Sequence, residues 1–232
     1  MNWNGKKKAV TFSFDDGVTQ DIRFIEMLNK YGLKATFNIN SALLGLPGSL
    51  ERNGNRVDHN KVYAQDVKSI YAGHEVAVHT LTHPNLTGLD EKAVAYQVEQ
   101  DRQTLSLLSG TEVVGMAYPC GGVNNDDRVA EIIGRTTGVK YARTITSTYN
   151  FDIQTNLLRF NPTVCYIEED KLFELGEKFT ELETDAPQLF YIWGHTYEMD
   201  AEYISWERVE DFCRLISGKD DIFYGTNKEV LL

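Results

Sequence analysis

The sequence is short of the features that mark disulfide-stabilised and membrane-spanning proteins. Its 232 residues include three cysteines and five prolines. Cys120, Cys165 and Cys213 are widely spaced and form no CxxC pair, which excludes a disulfide scaffold and a zinc site made of cysteines. No apolar run approaches ~18 residues, so no transmembrane helix is expected. No apolar segment follows the basic residues near the beginning, and because a signal peptide is therefore not recognised, we expect a cytoplasmic location.

Positive charge is also scarce. Lysine and arginine total 23 against 34 aspartates and glutamates, which gives a formal net charge of −11. A field of this sign repels phosphate backbones and anionic lipid heads. We therefore expect no nucleic-acid or membrane partner and favour a neutral or cationic one. The sequence has no repeat, low-complexity stretch or linker, and 42% of its residues are hydrophobic, so residues 1–232 are expected to form a single domain with a full core.

What the sequence does contain is a repeated alternation of short apolar runs with longer amphipathic segments. Strands are predicted at 9–14, 35–39, 75–79, 113–118, around 141, 158–160, 189–193 and 222–224. Helices are predicted at 19–31, 61–71, 90–108, 127–137, 170–182 and 203–216, with a long loop at 41–61. Asp90 and Gly110 are expected to cap the third helix. Such β-then-α units indicate a parallel sheet covered by helices. About seven units favour a closed or nearly closed barrel, although periodicity alone does not separate a barrel from an open sheet.

Polar side chains follow several of the predicted strands at the point where each strand ends. Asp15 and Asp16 follow the first strand, and His79 and His83 follow the third. Cys120 follows the fourth strand, and His195 follows the late apolar strand. In β/α barrels the carboxyl ends of the strands meet on one face, where reactive residues gather. We therefore expect two acids and three of the five histidines to share one site.

This set of side chains suits metal-assisted hydrolysis of an acyl group. One aspartate and two histidines make three ligands and leave positions open for water and substrate, which is typical of catalytic metal sites. The second aspartate could then accept a proton from water, and His195 could give a proton to a leaving group. Each motif alone has a plainer interpretation, since Asp-Asp-Gly is usually a turn. His59 and His74 are interpreted as structural.

The same motifs, in this order, resemble those of the polysaccharide deacetylases, which form carbohydrate esterase family four, also named the NodB-homology domain. The matching segments are 11–17 (TFSFDDG), 79–84 (HTLTHP), 118–121 (YPCG) and the late strand that ends at His195. The resemblance spans about residue 8 to about residue 225. It implies a distorted (β/α) barrel of about seven parallel strands, with the site at their C-terminal ends. It also implies hydrolytic removal of acetyl groups from N- or O-acetylated sugars.

The resemblance further implies a role for each matching residue. Asp15 would be the catalytic base, and His195 the general acid. The backbone N–H of Cys120 would stabilise the oxyanion, and Trp193 would line the substrate pocket. The metal ligands would be Asp16, His79 and His83, holding zinc or another divalent ion such as cobalt, nickel or iron.

The sequence departs from the family at two places. The third family motif usually carries an arginine two residues before the proline, where it pairs with the catalytic aspartate, and that position here is Ala117. We hypothesise that Arg143, after the next strand, supplies the charge. The fourth motif, an acidic stretch, is not recognisable, and Asp152 is the best candidate for an acid that orients His195. Tyr197 is a candidate for stacking on a sugar face.

Three functions remain open from the sequence. The first is a metal-dependent deacetylase acting on an acetylated glycan, which suits the acidic surface. The second is a small-molecule amidohydrolase on the same scaffold, which a narrow, capped pocket would favour. The third is an inactive glycan-binding module, which would predict a missing ligand or base. The sugar, its linkage, the choice between N- and O-acetyl groups and the oligomeric state do not follow from the sequence.

Overall fold

The apolar runs of the sequence form one parallel sheet in a computed structural model, which describes residues 3–232. In chain order the strands are β1 (Lys8–Asp15), β2 (Ala35–Ile39), β3 (Ser49–Arg52), β4 (Asn55–Asp58), β5 (Glu75–Val78), β6 (Gly115–Ala117), β7 (Tyr141–Arg143), β8 (Val164–Cys165), β9 (Gln188–Gly194) and β10 (Ile222–Tyr224). The sheet order is β7-β6-β5-β2-β1-β9-β8, and β10 pairs with the first residues of β1. All eight residues of β1 are buried, as expected for a central strand covered on both faces.

The sheet curls into a distorted barrel, as the sequence predicts. Residues 160–165 join its two sides. Phe160 donates its N–H to Ala142 of β7 and accepts from Thr144, both at 2.9 Å between nitrogen and oxygen. Three residues later, Thr163 donates to Tyr191 of β9 at 2.8 Å. One short segment therefore bridges β7 and β9 and brings the ring of strands close to closure.

Helices cover the outside of the sheet. They are α1 (Asp21–Lys30), α2 (Val67–Ile70), α3 (Glu91–Ser109), α4 (Asp127–Thr136), α5 (Glu169–Glu181), α6 (Tyr197–Asp200), α7 (Trp206–Ile216) and α8 (Asn227–Leu231). The predicted caps of α3 are confirmed: the Asp90 side chain accepts from the Ala93 N–H, and Gly110 ends the helix with a left-handed φ of 74°. Among residues 3–232, no helix is long and apolar enough to cross a membrane.

Three local predictions are wrong. The segment 41–61 is not a plain loop, because β3 and β4 form a hairpin around Asn53 and Gly54. Both of these residues have positive φ, 51° and 76°, as a type I′ hairpin turn requires. The helix predicted at 61–71 is reduced to a 3₁₀ turn and α2. The strand predicted at 158–160 is the 3₁₀ turn Leu157–Arg159, because the sheet edge bonds Phe160 alone.

The helix α8 was not predicted. Its start is a capping box in which the Thr226 side chain accepts from the Glu229 N–H and the Glu229 side chain accepts from the Thr226 N–H. Such a box satisfies backbone donors that a short helix would otherwise leave unpaired. Val230 and Leu231 of this helix are buried.

Candidate active site

The five strand-end residues that the sequence singles out line one cavity of about 460 Å³ at the C-terminal ends of the strands. Asp15 ends β1 and Asp16 follows it, His79 and His83 follow β5, and His195 follows β9. In the sheet, β1 lies between β2 and β9, and β5 lies next to β2. The topology therefore brings residues up to 180 positions apart to one place.

Asp16, His79 and His83 form a group suited to hold a metal ion. One ligand atom from each lies within 4.8 Å of the others. His79 is buried, and its Nδ1 lies 2.9 Å from the Ala117 carbonyl oxygen. Because a carbonyl only accepts, Nδ1 carries the proton and Nε2 is left as the donor atom for a ligand. Burial lowers the pKa of His79 to about 4, so its imidazole is neutral, as metal binding requires.

His83 and Asp16 both have unusual backbone conformations. His83 has a φ of 63° and Asp16 a φ of 85°, a region that non-glycine residues adopt at a cost and mainly at functional sites. The Asp16 backbone is held on both sides: its N–H donates to Asn38 at 2.9 Å, and Lys61 Nζ donates to its carbonyl at 2.7 Å. These contacts set the Asp16 Oδ1 atom 3.7 Å from His83 Nε2. Burial lowers the pKa of His83 as well.

The carboxylate of Asp16 is buried, and two neighbouring side chains offset the cost of burying its charge. Its Oδ2 lies 3.1 Å from His59 Nε2, and its Oδ1 lies 3.4 Å from Lys61 Nζ. Burial alone would raise the pKa of Asp16, but the His59 hydrogen bond and the Lys61 charge lower it well below its usual range. Asp16 is therefore ionised at neutral pH. His59, which the sequence analysis interprets as structural, lies in the cavity against Asp16.

Asp15 is paired with Arg143. The Arg143 Nη2 atom lies 2.6 and 2.5 Å from the two carboxylate oxygens of Asp15, and the Asn38 side chain donates to Oδ1 at 2.8 Å. The Arg143 guanidinium also stacks on Trp193, 4.6 Å from the ring centroid. Burial would raise the pKa of Asp15, but the charge of Arg143, with smaller contributions from His79 and His195, lowers it. The charge missing at Ala117 is thus present on the neighbouring strand.

His195 stands on the opposite side of Asp15 from the β5 histidines, with an acid of its own. Its Nε2 lies 3.9 Å from Asp15 Oδ2, and its Nδ1 lies 3.3 Å from Glu198 Oε1. Glu198 also accepts the His195 backbone N–H at 3.0 Å. Burial would lower the pKa of His195, but the charges of Glu198 and Asp15 raise it to about 9. The imidazole is therefore protonated at neutral pH.

The acid beside His195 is Glu198, and the prediction of Asp152 for this position is wrong. Asp152 is exposed and bridges to Gln188 at the first residue of β9, whereas His195 follows the last residue of that strand. Seven strand residues at about 3.3 Å each separate the two by roughly 20 Å. The one sequence feature that could have indicated Glu198 as the partner of His195 is its position three residues later in the chain. The structure places Glu198 on the short helix α6.

Cys120 lies at the rim of the cavity with a φ of 70°. The Asn124 side chain donates to the Cys120 carbonyl at 2.8 Å, and among residues 3–232 no oxygen accepts the Cys120 N–H. Burial raises the pKa of the thiol, so it stays protonated, and its Sγ lies 3.9 Å from His83 Nδ1. Among the described residues, the Cys120 N–H therefore has no acceptor, and the thiol contacts His83.

Trp193 and Tyr197 both line the cavity. The Tyr197 ring lies between two imidazoles, with centroids 5.0 Å from His59 and 5.1 Å from His195. Arg143 already occupies one face of Trp193. Three cavity residues that the sequence did not single out contact the predicted site residues. They are His59, Lys61 and Glu198, and none of them directly follows a strand of the parallel sheet.

The fold and the site together define a β/α-barrel protein with a candidate catalytic centre at the C-terminal ends of its strands. Residues 3–141 match the profile of the family described as polysaccharide deacetylase. The chain belongs to this family.

Among curated proteins, the chain is similar to the peptidoglycan-N-acetylglucosamine deacetylase PgdA of Listeria monocytogenes serotype 1/2a. The two are 27% identical over 130 residues, which make up 55% of this chain and 24% of that protein. The chain thus spans about a quarter of the length of the curated relatives it matches.

Among solved structures, the family 4 carbohydrate esterase from Streptomyces lividans in complex with acetate superposes with a TM-score of 0.58 at 16% identity, covering 95% of this chain and 93% of that chain. A pseudoenzyme of the same esterase family from Bacillus anthracis superposes with a TM-score of 0.58 at 19% identity, covering 97% and 66%. At these identities the likeness establishes the fold.

Proposed function

We propose that this chain is a metal-dependent hydrolase that removes acetyl groups from N- or O-acetylated carbohydrate. The observation that carries the proposal is the shared cavity in which Asp15, His195 and the Asp16-His79-His83 group face one another. Family membership supports the reaction class. We also propose that residues 1–232 act as a single catalytic domain, with an acetylated carbohydrate as its partner.

The chemistry of the donor set fits a divalent transition metal. Two neutral imidazoles and one ionised carboxylate are ligands that zinc, cobalt, nickel and iron accept, and zinc is the first candidate. Asp16, His79 and His83 would hold the ion. When bound, it would supply Lewis-acid polarisation of the acetyl carbonyl and lower the pKa of water.

The chain's own residues have matching tasks. Asp15, ionised and held by Arg143, would accept a proton from the attacking water. His195, protonated at neutral pH and facing the same space, would donate a proton to the leaving amine or alcohol. The Cys120 N–H would donate to the oxyanion of the tetrahedral intermediate, and a misplaced donor of this kind costs about 3–4 kcal/mol of barrier. Trp193 and Tyr197 would form apolar walls for the acetyl group and the sugar ring.

The test is acetate release from a panel of chitooligosaccharides, acetylated xylan and peptidoglycan fragments. The panel is run with metal-restored protein, with chelator and with Asp15→Asn. Release that requires both the metal and Asp15 is the expected result. Full release by Asp15→Asn, or in the presence of chelator, would contradict the proposal.

A small-molecule amidohydrolase is the second candidate, because the β3–β4 hairpin walls one side of the cavity. Leu50 and Arg52 of β3 line it, and the Asn53 side chain at the hairpin turn donates to the Ala201 carbonyl at 3.1 Å. A cavity of about 460 Å³ is within the usual range for small ligands. Metal-dependent hydrolysis of small cyclic or formyl amides, without acetate release from any glycan, would favour this candidate. No specific observation favours the inactive binding module.

A further inference from the structure

The segment that follows the β3–β4 hairpin lies directly against the end of β1. We name residues 59–62 the strap. Lys61 forms an antiparallel bridge with Val18. Val62 donates its N–H to Gly17 at 3.0 Å, and Thr19 donates to Asn60 at 2.9 Å. The backbone of the strap is thereby fixed to residues 17–19, which directly follow Asp16.

This pairing places the His59 ring on Asp16. The His59 Nε2 atom lies 3.1 Å from Asp16 Oδ2, and the two side chains are 17% and 8% exposed. An ionised carboxylate only accepts hydrogen bonds, so Nε2–H donates. The other oxygen, Oδ1, is the one that lies near His83 Nε2, at 3.7 Å. The two oxygens of Asp16 therefore have different neighbours: Oδ2 contacts His59 of the strap, whereas Oδ1 lies near His83 of the ligand group and 3.4 Å from Nζ of Lys61 in the strap.

We propose that His59 is a positioning residue for the metal site: its hydrogen bond to Oδ2 of Asp16 leaves Oδ1 alone to bind the ion. The proposal rests on the assignment of Asp16, His79 and His83 as ligands under the proposed function. Hydrogen bonds to the unbound atom of a ligand fix its orientation, and their loss typically lowers metal affinity 10–100-fold. Without His59, the buried Asp16 carboxylate loses the donor on Oδ2, and Lys61, 3.4 Å from Oδ1, is the remaining strap side chain beside it.

The orientation of His59 is itself supported from α6. Its ring packs edge-on against Tyr197, with 5.0 Å between ring centroids and 81° between ring planes. The hairpin before the strap is tied to the same region through Asn53 and Ala201, and Val57 of β4 packs in one cluster with Tyr197 and Ala201. Under the proposal, the contacts between the hairpin and the α6 region therefore help to position His59 beside the metal site.

The test is zinc affinity of the full chain, measured by competition with a chromophoric chelator. His59→Phe keeps an aromatic ring beside Tyr197 but removes the N–H. His59→Gln places an amide N–H close to the position of Nε2. We expect His59→Phe to bind zinc about 10–100-fold more weakly than the parent and His59→Gln to recover affinity to within about threefold. Arg56→Gln, an exposed change on β4 of the same hairpin, is the matched control and should bind zinc like the parent.

Three further measurements separate the possible failures. Thermal unfolding of the metal-free variants shows whether each is folded, and a folded His59→Phe that binds zinc within about twofold of the parent overturns the proposal. Co²⁺-loaded parent and Co²⁺-loaded His59→Phe should show the same number of histidine ligands, whereas one histidine ligand fewer in His59→Phe would make His59 a ligand and also overturn the proposal. If Asp16→Asn leaves zinc affinity unchanged, the ligand assignment itself is wrong. If Asp16→Asn loses zinc while His59→Phe does not, the positioning role alone fails.

Discussion

Replacing Arg143 with methionine should destabilise the protein strongly and in a pH-dependent way. The guanidinium is fully buried and its partner Asp15 is 2% exposed. Arg143 also donates from Nε to Ser13 at 3.2 Å and from Nη1 to the Thr144 carbonyl at 3.0 Å. In Arg143→Met the Asp15 carboxylate stays buried with the Asn38 amide as its remaining side-chain donor. Removing one member of a buried pair typically costs about 3–5 kcal/mol, because it leaves an uncompensated charge.

The sign of the pH dependence follows from the pKa of Asp15. In the parent protein this pKa is lowered, so the pair contributes stability that is present above about pH 4 and is lost as pH falls through the folded pKa. In Arg143→Met the arginine no longer offsets burial, so the pKa of Asp15 rises, and the charge of His195 remains as a smaller offset. The variant therefore lacks most of the stability that the parent gains above about pH 4. The gap in unfolding free energy between the two proteins is largest at neutral pH.

Urea unfolding of metal-free parent and variant, at about pH 4 and about pH 7, measures this gap. Arg135→Met is the matched control, because Arg135 pairs with Glu91 at 2.9 Å on the surface, with both side chains more than half exposed. Such exposed pairs contribute about 0–1 kcal/mol. A loss below about 1 kcal/mol for Arg143→Met at neutral pH, or an equal loss at both pH values, would refute the reasoning. Under the proposed function, the acid limb of the rate of acetate release should also move to higher pH in this variant.

Three further predictions concern other groups. Burial raises the pKa of Asp21 to about 7, so this carboxyl stabilises the fold fully below about pH 4 and loses that effect as pH rises through 7. Asp21→Asn should therefore flatten the fall in unfolding free energy between these pH values. An unchanged slope would count against this assignment. Glu198→Gln removes a charge that helps to raise the pKa of His195 to about 9. The alkaline limb of kcat/KM should therefore move to lower pH. An unmoved limb would contradict the pairing of Glu198 with His195. Zinc at about 100 times its Kd should add about 2.7 kcal/mol to the unfolding free energy of the parent. It should add nothing to that of Asp16→Asn. Calorimetric unfolding of both proteins, with and without chelator, measures the difference.

The fold was largely predictable because its signals are local. The apolar β-branched run before Asp15 makes a strand, and Asp90 and Gly110 cap α3 through contacts within a few residues of each other. The hairpin at 49–58 was missed for the opposite reason. Its strands are mostly exposed and carry no apolar alternation, so that Asn53-Gly54 was the one local sign of pairing.

The cavity residues that could be predicted from the sequence are those at the ends of strands, and the others could not be predicted. Asp15, His79 and His195 directly follow or end strands of one sheet, and parallel strands bring their carboxyl ends together. His59 reaches the site from 43 residues after Asp16, through a strap whose register no sequence pattern sets. Asp152 was chosen as an acid without a strand to place it, and it lies at the opposite end of β9.

The position of Arg143 shows what sheet register adds to a motif. Ala117 and Arg143 are register partners on the adjacent strands β6 and β7, so they stand at the same height of the barrel although 26 positions separate them in the chain. Neighbouring strands are about 4.8 Å apart, a distance that the long side chain of arginine spans easily. From β7 its guanidinium reaches β1 across the inside of the curled sheet, where it contacts both Ser13 and Asp15. A buried carboxylate needs a positive charge beside it, and that charge can come from either of two adjacent strands at the same height in the sheet. A family motif can therefore lose its arginine while the site keeps the charge.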